Sequence, residues 1–163
     1  MLNQGVKICE EASRLDIKTG FPREWALPRL ISNLYSQLGS IEYETNANGH
    51  GIDMFQKAKK IRQAIIDEYD MEFDIDQMRT YDNNLAVALM AEGEMDQAFE
   101  TLKKTYHDIT STGSLTGFHT NLPVNLSICQ RLRGRAKDAR RFIDEALDVV
   151  SSDFGDQGLE MAT

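Results

Sequence analysis

Three histidines could do chemistry in this sequence, because imidazole binds zinc and exchanges protons near neutral pH. They are His50, His107 and His119. A zinc site built on one helix needs a second ligand three or four residues from the first, and none of the three has a suitable one. Solvated or capping side chains explain them better, so we predict no metal site and no cofactor.

The most acidic stretch, DEYDMEFDID, holds six acids in the ten residues 67–76. Carboxylates clustered in this way are the ligands that calcium prefers. An EF-hand loop beginning at Asp70 would need glycine at its sixth position and glutamate at its twelfth, where this chain has Ile75 and Tyr81. The sequence therefore excludes an EF-hand, and we expect a solvated helix end followed by a loop at 72–76.

The most basic stretch, RLRGRAKDARR, holds six cations in the eleven residues 131–141. It predicts either a patch for an acidic partner or a charged turn with solvated flanks, and the second is the commoner case. No serine or cysteine comes with a recognisable base and orienting group, and GSLTG and GHG match no phosphate loop. We therefore predict no catalytic residues and a protein that is not an enzyme.

The composition of the chain limits the classes of protein to which it can belong. The chain has 163 residues, a formal net charge of −8 and 41% hydrophobic residues, as expected for one globular domain rather than a nucleic-acid binder. Cys9 and Cys129 lie far apart in helical patterns, which favours two reduced, buried thiols. Neither a signal peptide nor a membrane span is recognisable, so a cytoplasmic location without membrane association is expected.

The elements that must position any site are helices. Apolar residues recur at helical spacing along almost the whole chain, and no strand alternation interrupts them. Breakers fall between the periodic segments, for example KTGFPREWALP at 18–28 and STGSLTGF at 111–118. The predicted class is all-α, with helices near 2–15, 27–45, 51–69, 76–91, 95–110, 120–132 and 136–151.

The helices repeat. NNLAVALMAEGEMDQAFETLKKTY aligns without a gap on VNLSICQRLRGRAKDARRFIDEAL, so that Gly93 matches Gly134 and Ala98 matches Ala139, 41 positions later. SQLGSIEYETNANGHGIDMFQKAKKI adds a copy in which Gly51 takes the small-residue position. Two antiparallel helices pack closely only where such small residues let their backbones approach, and a glycine ends a helix readily because it adopts a left-handed conformation.

These residues resemble the tetratricopeptide repeat family. The spacing matches the variety of that family whose helices, and therefore whose repeats, are longer than those of the usual 34-residue unit. Leu38-Gly39, Leu85-Ala86 and Leu126-Ser127 supply the first element of the signature, whereas Asp82 and Pro123 replace its aromatic residue and Thr105 its alanine. The resemblance implies a right-handed α-α superhelix as one domain over 1–163. It divides into a half repeat at 2–15, repeats at about 27–69, 76–110 and 120–151, and a polar tail at 152–163.

In this family the first helices of the repeats line a concave groove that binds a peptide or a helix of a partner. Carried over position by position, the resemblance places one set of residues of this chain in that groove. This predicted partner surface consists of Asn33, Gln37, Ser40, Tyr43, Asn83, Asn84, Val87, Met90, Asn121, Asn125, Ile128 and Arg131, with Ser36 and Val124 beside them. Its amides can pair with the backbone of an extended chain, or be tolerated as ordinary exposed polar groups.

The function implied is a non-enzymatic protein-interaction module within a larger signalling or regulatory protein. The alternative is a ligand-sensing or autoregulatory domain of a multidomain regulator. Chaperone adaptors of this family grip a carboxylate with lysine, arginine and asparagine side chains, whereas this chain has Ser36, Ser40, Asn121 and Asn125 at those positions and matches only at Asn84, so the cations are missing. We therefore expect no binding of chaperone tails. The unfinished ends of the repeat array suggest further repeats of the same chain, or self-association.

Overall fold

A computed structural model describes Lys7 and residues 25–45, 50–69, 72–112 and 121–154, without the side chains of 72, 73, 153 and 154. Across these residues it shows six α-helices and no strand, so the predicted all-α class is confirmed. The helices are α1 (Ala26–Glu44), α2 (His50–Tyr69), α3 (Glu72–Ala91), α4 (Met95–Ser111), α5 (Asn121–Leu132) and α6 (Ala136–Phe154). Apart from Lys7 and the end of α6, the predicted helix at 2–15 and the polar tail lie outside the described residues.

The start of α3 corrects the sequence-based expectation. We expected a solvated loop at 72–76 and a helix from 76, but the helix begins at Glu72 and the side chain of Asp74 is fully buried. Two acids in the first turn of a helix are favourable because its amino-terminal end carries partial positive charge. Burial of Asp74 depends on two arginines far away in sequence, which local composition does not reveal.

Two turns share one geometry at the predicted repeat distance. After α3, the Gly93 amide donates to the Met90 carbonyl (3.2 Å) and the Glu94 amide to the Leu89 carbonyl (2.9 Å). After α5, Gly134 and Arg135 make the corresponding bonds, at 3.0 and 2.8 Å. This is the Schellman arrangement, which needs a left-handed residue. Gly93 and Gly134 adopt φ values of 83° and 76°, as their positions in the repeat predict.

The chain divides into two compact units, Met1–Ala88 and Leu89–Thr163, with the boundary inside α3. In the first unit α1 packs on α2, and their backbones approach most closely at Gly39 and Gly51. A Cβ atom built on Gly51 would lie only 3.0 Å from the Gly39 carbonyl oxygen. The small-residue position predicted at Gly51 is therefore a close backbone approach, and the ring of Phe55 packs beside it.

Replacing Gly51 by alanine tests this crossing. Within helices alanine is normally more stable than glycine by about 1 kcal/mol. Here the added methyl group meets backbone atoms of α1 that cannot rotate away, so we expect a net loss on the order of 1 kcal/mol in the free energy of unfolding. Urea denaturation measures it, with Gln56→Ala on the exposed face of α2 as control. A Gly51→Ala protein more stable than wild type would contradict the close approach.

In the second unit α5 packs against both α4 and α6. Ala98 and Ala139, the predicted small positions, are buried, and Leu102 and Leu126 are fully buried. Side chains of α4 also contact side chains of α6. The rings of Tyr106 and Phe142 meet edge to face at 5.7 Å, and the Tyr106 hydroxyl donates to Glu145. Burial and that hydrogen bond to Glu145 raise the pKa of Tyr106 to about 12, so it remains a donor at neutral pH.

Candidate functional site

The predicted partner surface falls on the solvent-facing sides of α1, α3 and α5, and none of its residues is buried. Its exposed members are Asn33, Gln37, Tyr43, Asn121 and Arg131. Its half-buried members are Ser40, Asn83, Asn84, Val87, Met90, Asn125 and Ile128. Of the two residues placed beside it, Val124 is exposed, whereas Ser36 is buried in the core and offers nothing to a partner.

The exposed face of α1 combines amides with large apolar side chains. Leu30, Asn33, Gln37 and Ile41 follow one another at three- or four-residue spacing, so they share one side of the helix. The side chains of Leu30 and Ile41 are 44% and 45% exposed. Exposed aliphatic groups flanking amides can cover an apolar side chain of a partner while the amides bond to its backbone. The predicted partner surface did not include either aliphatic residue.

The exposed face of α5 has a similar composition within the second unit. Val124, Ile128 and Leu132 follow at four-residue spacing, with Leu132 52% exposed, and Asn121 and Arg131 lie at its two ends. On α3 the amides Asn83 and Asn84 and the side chain of Val87 are half-buried. Each of these helices therefore presents a mixture of amide and apolar groups, although the apolar residues Leu30, Ile41 and Leu132 lie outside the predicted partner surface.

Beneath the α1 face lies a buried polar cluster that sequence reasoning missed. Arg62 of α2 is 1% exposed, and Asp74 of α3 is fully buried. Arg62 donates through Nη1 to Asp74, and Arg29 donates to the same carboxylate, its Nε lying 3.0 Å from Oδ1. We call the connected group the Arg62 cluster; it comprises Arg29, Ser32, Asn33, Arg62, Asp74 and Tyr81.

The cluster joins all three helices of the first unit. Arg62 Nη2 donates to Asn33 Oδ1 at 2.6 Å and to the Tyr81 hydroxyl oxygen at 2.9 Å. The Tyr81 hydroxyl in turn donates to Asn33 Oδ1 at 2.7 Å, while Ser32 donates to the Arg29 carbonyl at 2.8 Å. Arg62 Nε alone among the nitrogens of that guanidinium has no hydrogen-bond partner in the described part of the chain. A charge this deeply buried is tolerated only because its other donors are satisfied.

Two guanidinium groups act on one carboxylate in this cluster. Burial by itself would raise the pKa of Asp74, but the hydrogen bonds and positive charges of Arg29 and Arg62 outweigh it and hold that pKa below the usual range of an aspartate. The carboxylate is therefore charged at neutral pH. It neutralises part of the positive charge that the fold buries here.

This lowered pKa makes stability depend on acidic pH. In the unfolded chain Asp74 has a pKa of about 3.9, above its folded value, so its contribution is complete above that pH. The contribution is lost as the pH falls through the folded pKa. We expect the free energy of unfolding to fall more steeply below about pH 4 in wild type than in Asp74→Asn. Urea denaturation across pH 2–6 measures both curves, and equal slopes would show that Asp74 does not carry the effect.

One pattern in the sequence could have indicated that Arg62 belongs to a buried polar cluster. Phe55, Ala58, Arg62 and Ile65 follow at the three-four-three spacing of the buried face of α2. An arginine inside such an apolar stripe needs a buried carboxylate or carbonyl partner, because isolated charges are rarely buried. The sequence does not show which of the six acids at 67–76 is that partner.

Three of the six cations in the basic segment 131–141 pair with acidic side chains of the same chain. Arg133 pairs with Asp96 at 2.7 Å and stacks 4.4 Å above the ring of Phe99. Arg140 pairs with Asp144 at 2.8 Å, and Arg141 lies 3.6 Å from Glu145. Such exposed pairs contribute little to stability. They favour the charged, solvated turn over a patch for an acidic partner.

The described helices bear on three other kinds of site: a membrane span, a metal site and a reactive thiol. None of them combines the length and the apolar character that crossing a bilayer requires. Among the described side chains, no group of three or more His, Cys, Asp or Glu residues could hold a metal ion. Cys129 is buried with its Sγ 3.5 Å from the Met95 carbonyl, and burial raises the pKa of its thiol.

Together these features define the class of protein: an all-α chain of helices joined by repeated glycine turns, with exposed faces that mix amide and apolar groups. No family model matches the sequence, and no curated protein is significantly similar to it. Assignment to a particular family is therefore a proposal that depends on the repeat pattern.

Proposed function

We propose that this chain is a tetratricopeptide-like interaction module, with the right-handed superhelix of that family, acting in a larger signalling or regulatory protein. It binds a peptide or a helix of a partner protein on the exposed faces of α1, α3 and α5. It carries out no reaction of its own.

The recurrence of one turn geometry carries the proposal. Gly93 and Gly134 have the same hydrogen-bond pattern and the same left-handed backbone, 41 positions apart. The small positions that follow, Ala98 and Ala139, are both buried. A repeat that agrees in sequence, backbone conformation and burial supports the family resemblance more strongly than sequence spacing alone. The helices before both turns carry the amide-rich faces.

The chemistry of those faces supports a peptide as the ligand. Gln37 on α1 and Asn121 on α5 are exposed side-chain amides, which both donate and accept hydrogen bonds. The main chain of an extended peptide offers the complementary groups at every residue. Leu30 and Ile41 on the α1 face, and Leu132 on the α5 face, are exposed apolar groups that can receive apolar side chains of a partner.

Selection from a library of random twelve-residue peptides displayed on phage, with the full chain as bait, tests the proposal. A selected peptide is then titrated by fluorescence anisotropy. We expect Gln37→Arg to weaken binding of a peptide that docks on α1, and Asn121→Arg to weaken binding of a peptide that docks on α5, in each case about tenfold or more, because an interface amide is lost and a bulky charge is introduced.

The controls place the same substitution on other exposed helix faces. Gln56→Arg on α2 and Gln97→Arg on α4 are expected to leave the affinity of the selected peptide unchanged. The proposal is wrong if no peptide is selected in repeated rounds, or if the control substitutions weaken binding as much as the other two.

A further inference from the structure

Asn33 is an amide of the predicted partner surface whose side-chain oxygen is hydrogen-bonded to buried residues beneath it. The residue is exposed, yet its Oδ1 accepts hydrogen bonds from Arg62 Nη2 at 2.6 Å and from the Tyr81 hydroxyl at 2.7 Å. Both donors are about 99% buried and belong to α2 and α3. The Asn33 amide therefore links the buried residues Arg62 and Tyr81 to the solvent-facing surface of α1.

These contacts fix which end of the amide faces outward. Arg62 carries only donors, so the atom beside it must be the acceptor Oδ1, and a flipped amide would put two donors against each other. The Nδ2 group is then held on the opposite side, and no described residue accepts a hydrogen bond from it. We propose that Asn33 is a fixed hydrogen-bond donor for a backbone carbonyl of an extended peptide, with Arg62 and Tyr81 as its positioning residues.

The spacing along α1 favours an extended peptide as the occupant. Asn33 and Gln37 are four residues apart, which corresponds to a rise of about 6 Å along the helix. An extended chain presents carbonyl groups on one side about every 6.6–6.8 Å, so successive carbonyls can reach both amides. Leu30, 44% exposed, lies one turn before Asn33 and can receive an apolar side chain of the same peptide.

The buried charge also strengthens the donor. Arg62 is positively charged, and it shares its carboxylate partner Asp74 with Arg29. A cation bonded to Oδ1 draws electron density from the amide, and hydrogen bonds in such a chain polarise one another. The Nδ2 hydrogens therefore bond more strongly to a carbonyl than those of an unsupported amide do. The arrangement favours acceptors over donors at this position.

Asn33→Asp separates this role from folding, because aspartate has nearly the same shape as asparagine. Its inner oxygen keeps the bonds from Arg62 and Tyr81 and adds a negative charge beside Arg62, so the melting temperature should stay the same or rise. Its outer oxygen is an acceptor that faces the peptide carbonyl. We expect about tenfold or greater loss of affinity for the phage-selected peptide, while Gln56→Glu, which adds the same charge on α2, leaves binding unchanged.

Tyr81→Phe tests the positioning role. It removes one of the two donors to Asn33 Oδ1, and the Asn33 side-chain NH₂ signals in a ¹⁵N-correlated NMR spectrum should shift. As a positioning residue Tyr81 is also needed for full affinity, so Tyr81→Phe should weaken binding of the selected peptide, whereas a merely structural role would lower the melting temperature and leave that affinity unchanged. Copies of the peptide with each carbonyl replaced in turn by a thiocarbonyl, a weaker acceptor, should identify one position that weakens binding to wild type but not to Asn33→Ala.

This inference depends on the proposed function, and the two can fail separately. If no peptide is selected, both fail. If a peptide binds but Asn33→Asp binds it as well as wild type does, the donor role is wrong while the proposed function stands. A fall in the melting temperature of Asn33→Asp would show that the amide is not oriented by Arg62 and Tyr81, and would also overturn the inference.

Discussion

Replacing Asp74 by alanine is expected to lower the free energy of unfolding by about 3–5 kcal/mol. The carboxylate is fully buried and accepts hydrogen bonds from both Arg29 and Arg62. Its removal leaves the guanidinium of Arg62, 1% exposed, without a carboxylate among its partners and still bonded to Asn33 and Tyr81. The cost arises mainly from the Arg62 charge, which is then buried without a carboxylate partner.

Asp76→Ala is the matched control, two residues further along the same helix. Asp76 is largely exposed and pairs with Arg79 at 2.7 Å within the helix. Exposed pairs of this kind are worth about 0–1 kcal/mol, so we expect a change within that range. Urea denaturation at pH 7 measures both variants. Similar losses for the two would show that Asp74 is not the buried centre of the cluster.

Truncating Leu102 to alanine should have the second largest effect, about 2–5 kcal/mol of lost unfolding free energy. Leu102 lies on α4 and is fully buried in the second unit. Deleting three carbons there removes apolar contacts and leaves a cavity that the packed helices around it can close only in part. Chemical denaturation monitored by circular dichroism measures the loss.

The repeat supplies the control, since Ile143 on α6 occupies the position equivalent to Leu102 and is only half-buried. Ile143→Ala should cost clearly less than Leu102→Ala, because part of its surface is in water already. Equal losses at both positions would contradict the burial difference between the two copies.

Local signals predicted most of the fold. Apolar periodicity predicted the helices, and the ends of α1, α2 and α4 differ from expectation by at most one residue. The glycines at 93 and 134 predicted the turns because the Schellman arrangement needs a residue that tolerates a left-handed backbone. Gly51 predicted a close approach because two helix backbones can touch only where the residue between them is small. Each of these inferences depends on residues near one another in sequence.

The start of α3 could not be predicted in that way. The stretch 67–76 is acidic throughout, and acidity alone indicates a solvated segment. Its neighbours in sequence do not distinguish Asp74, which is buried, from Asp76, which is exposed. The difference is made by Arg29 and Arg62, which reach Asp74 only after α1 and α2 have packed.

The sequence by itself therefore determined the helical class, the repeat, the glycine turns and the face of α1 that carries Asn33 and Gln37. Only the tertiary structure decided that Arg62 is buried, that Asp74 neutralises it and that the Asn33 amide has its oxygen inward. The physical reason is the distance in sequence between the residues that interact. Helix periodicity and turn conformation depend on residues a few positions apart, whereas the partners that join different helices in the Arg62 cluster are separated by 12 to 49 positions and meet only in the folded chain.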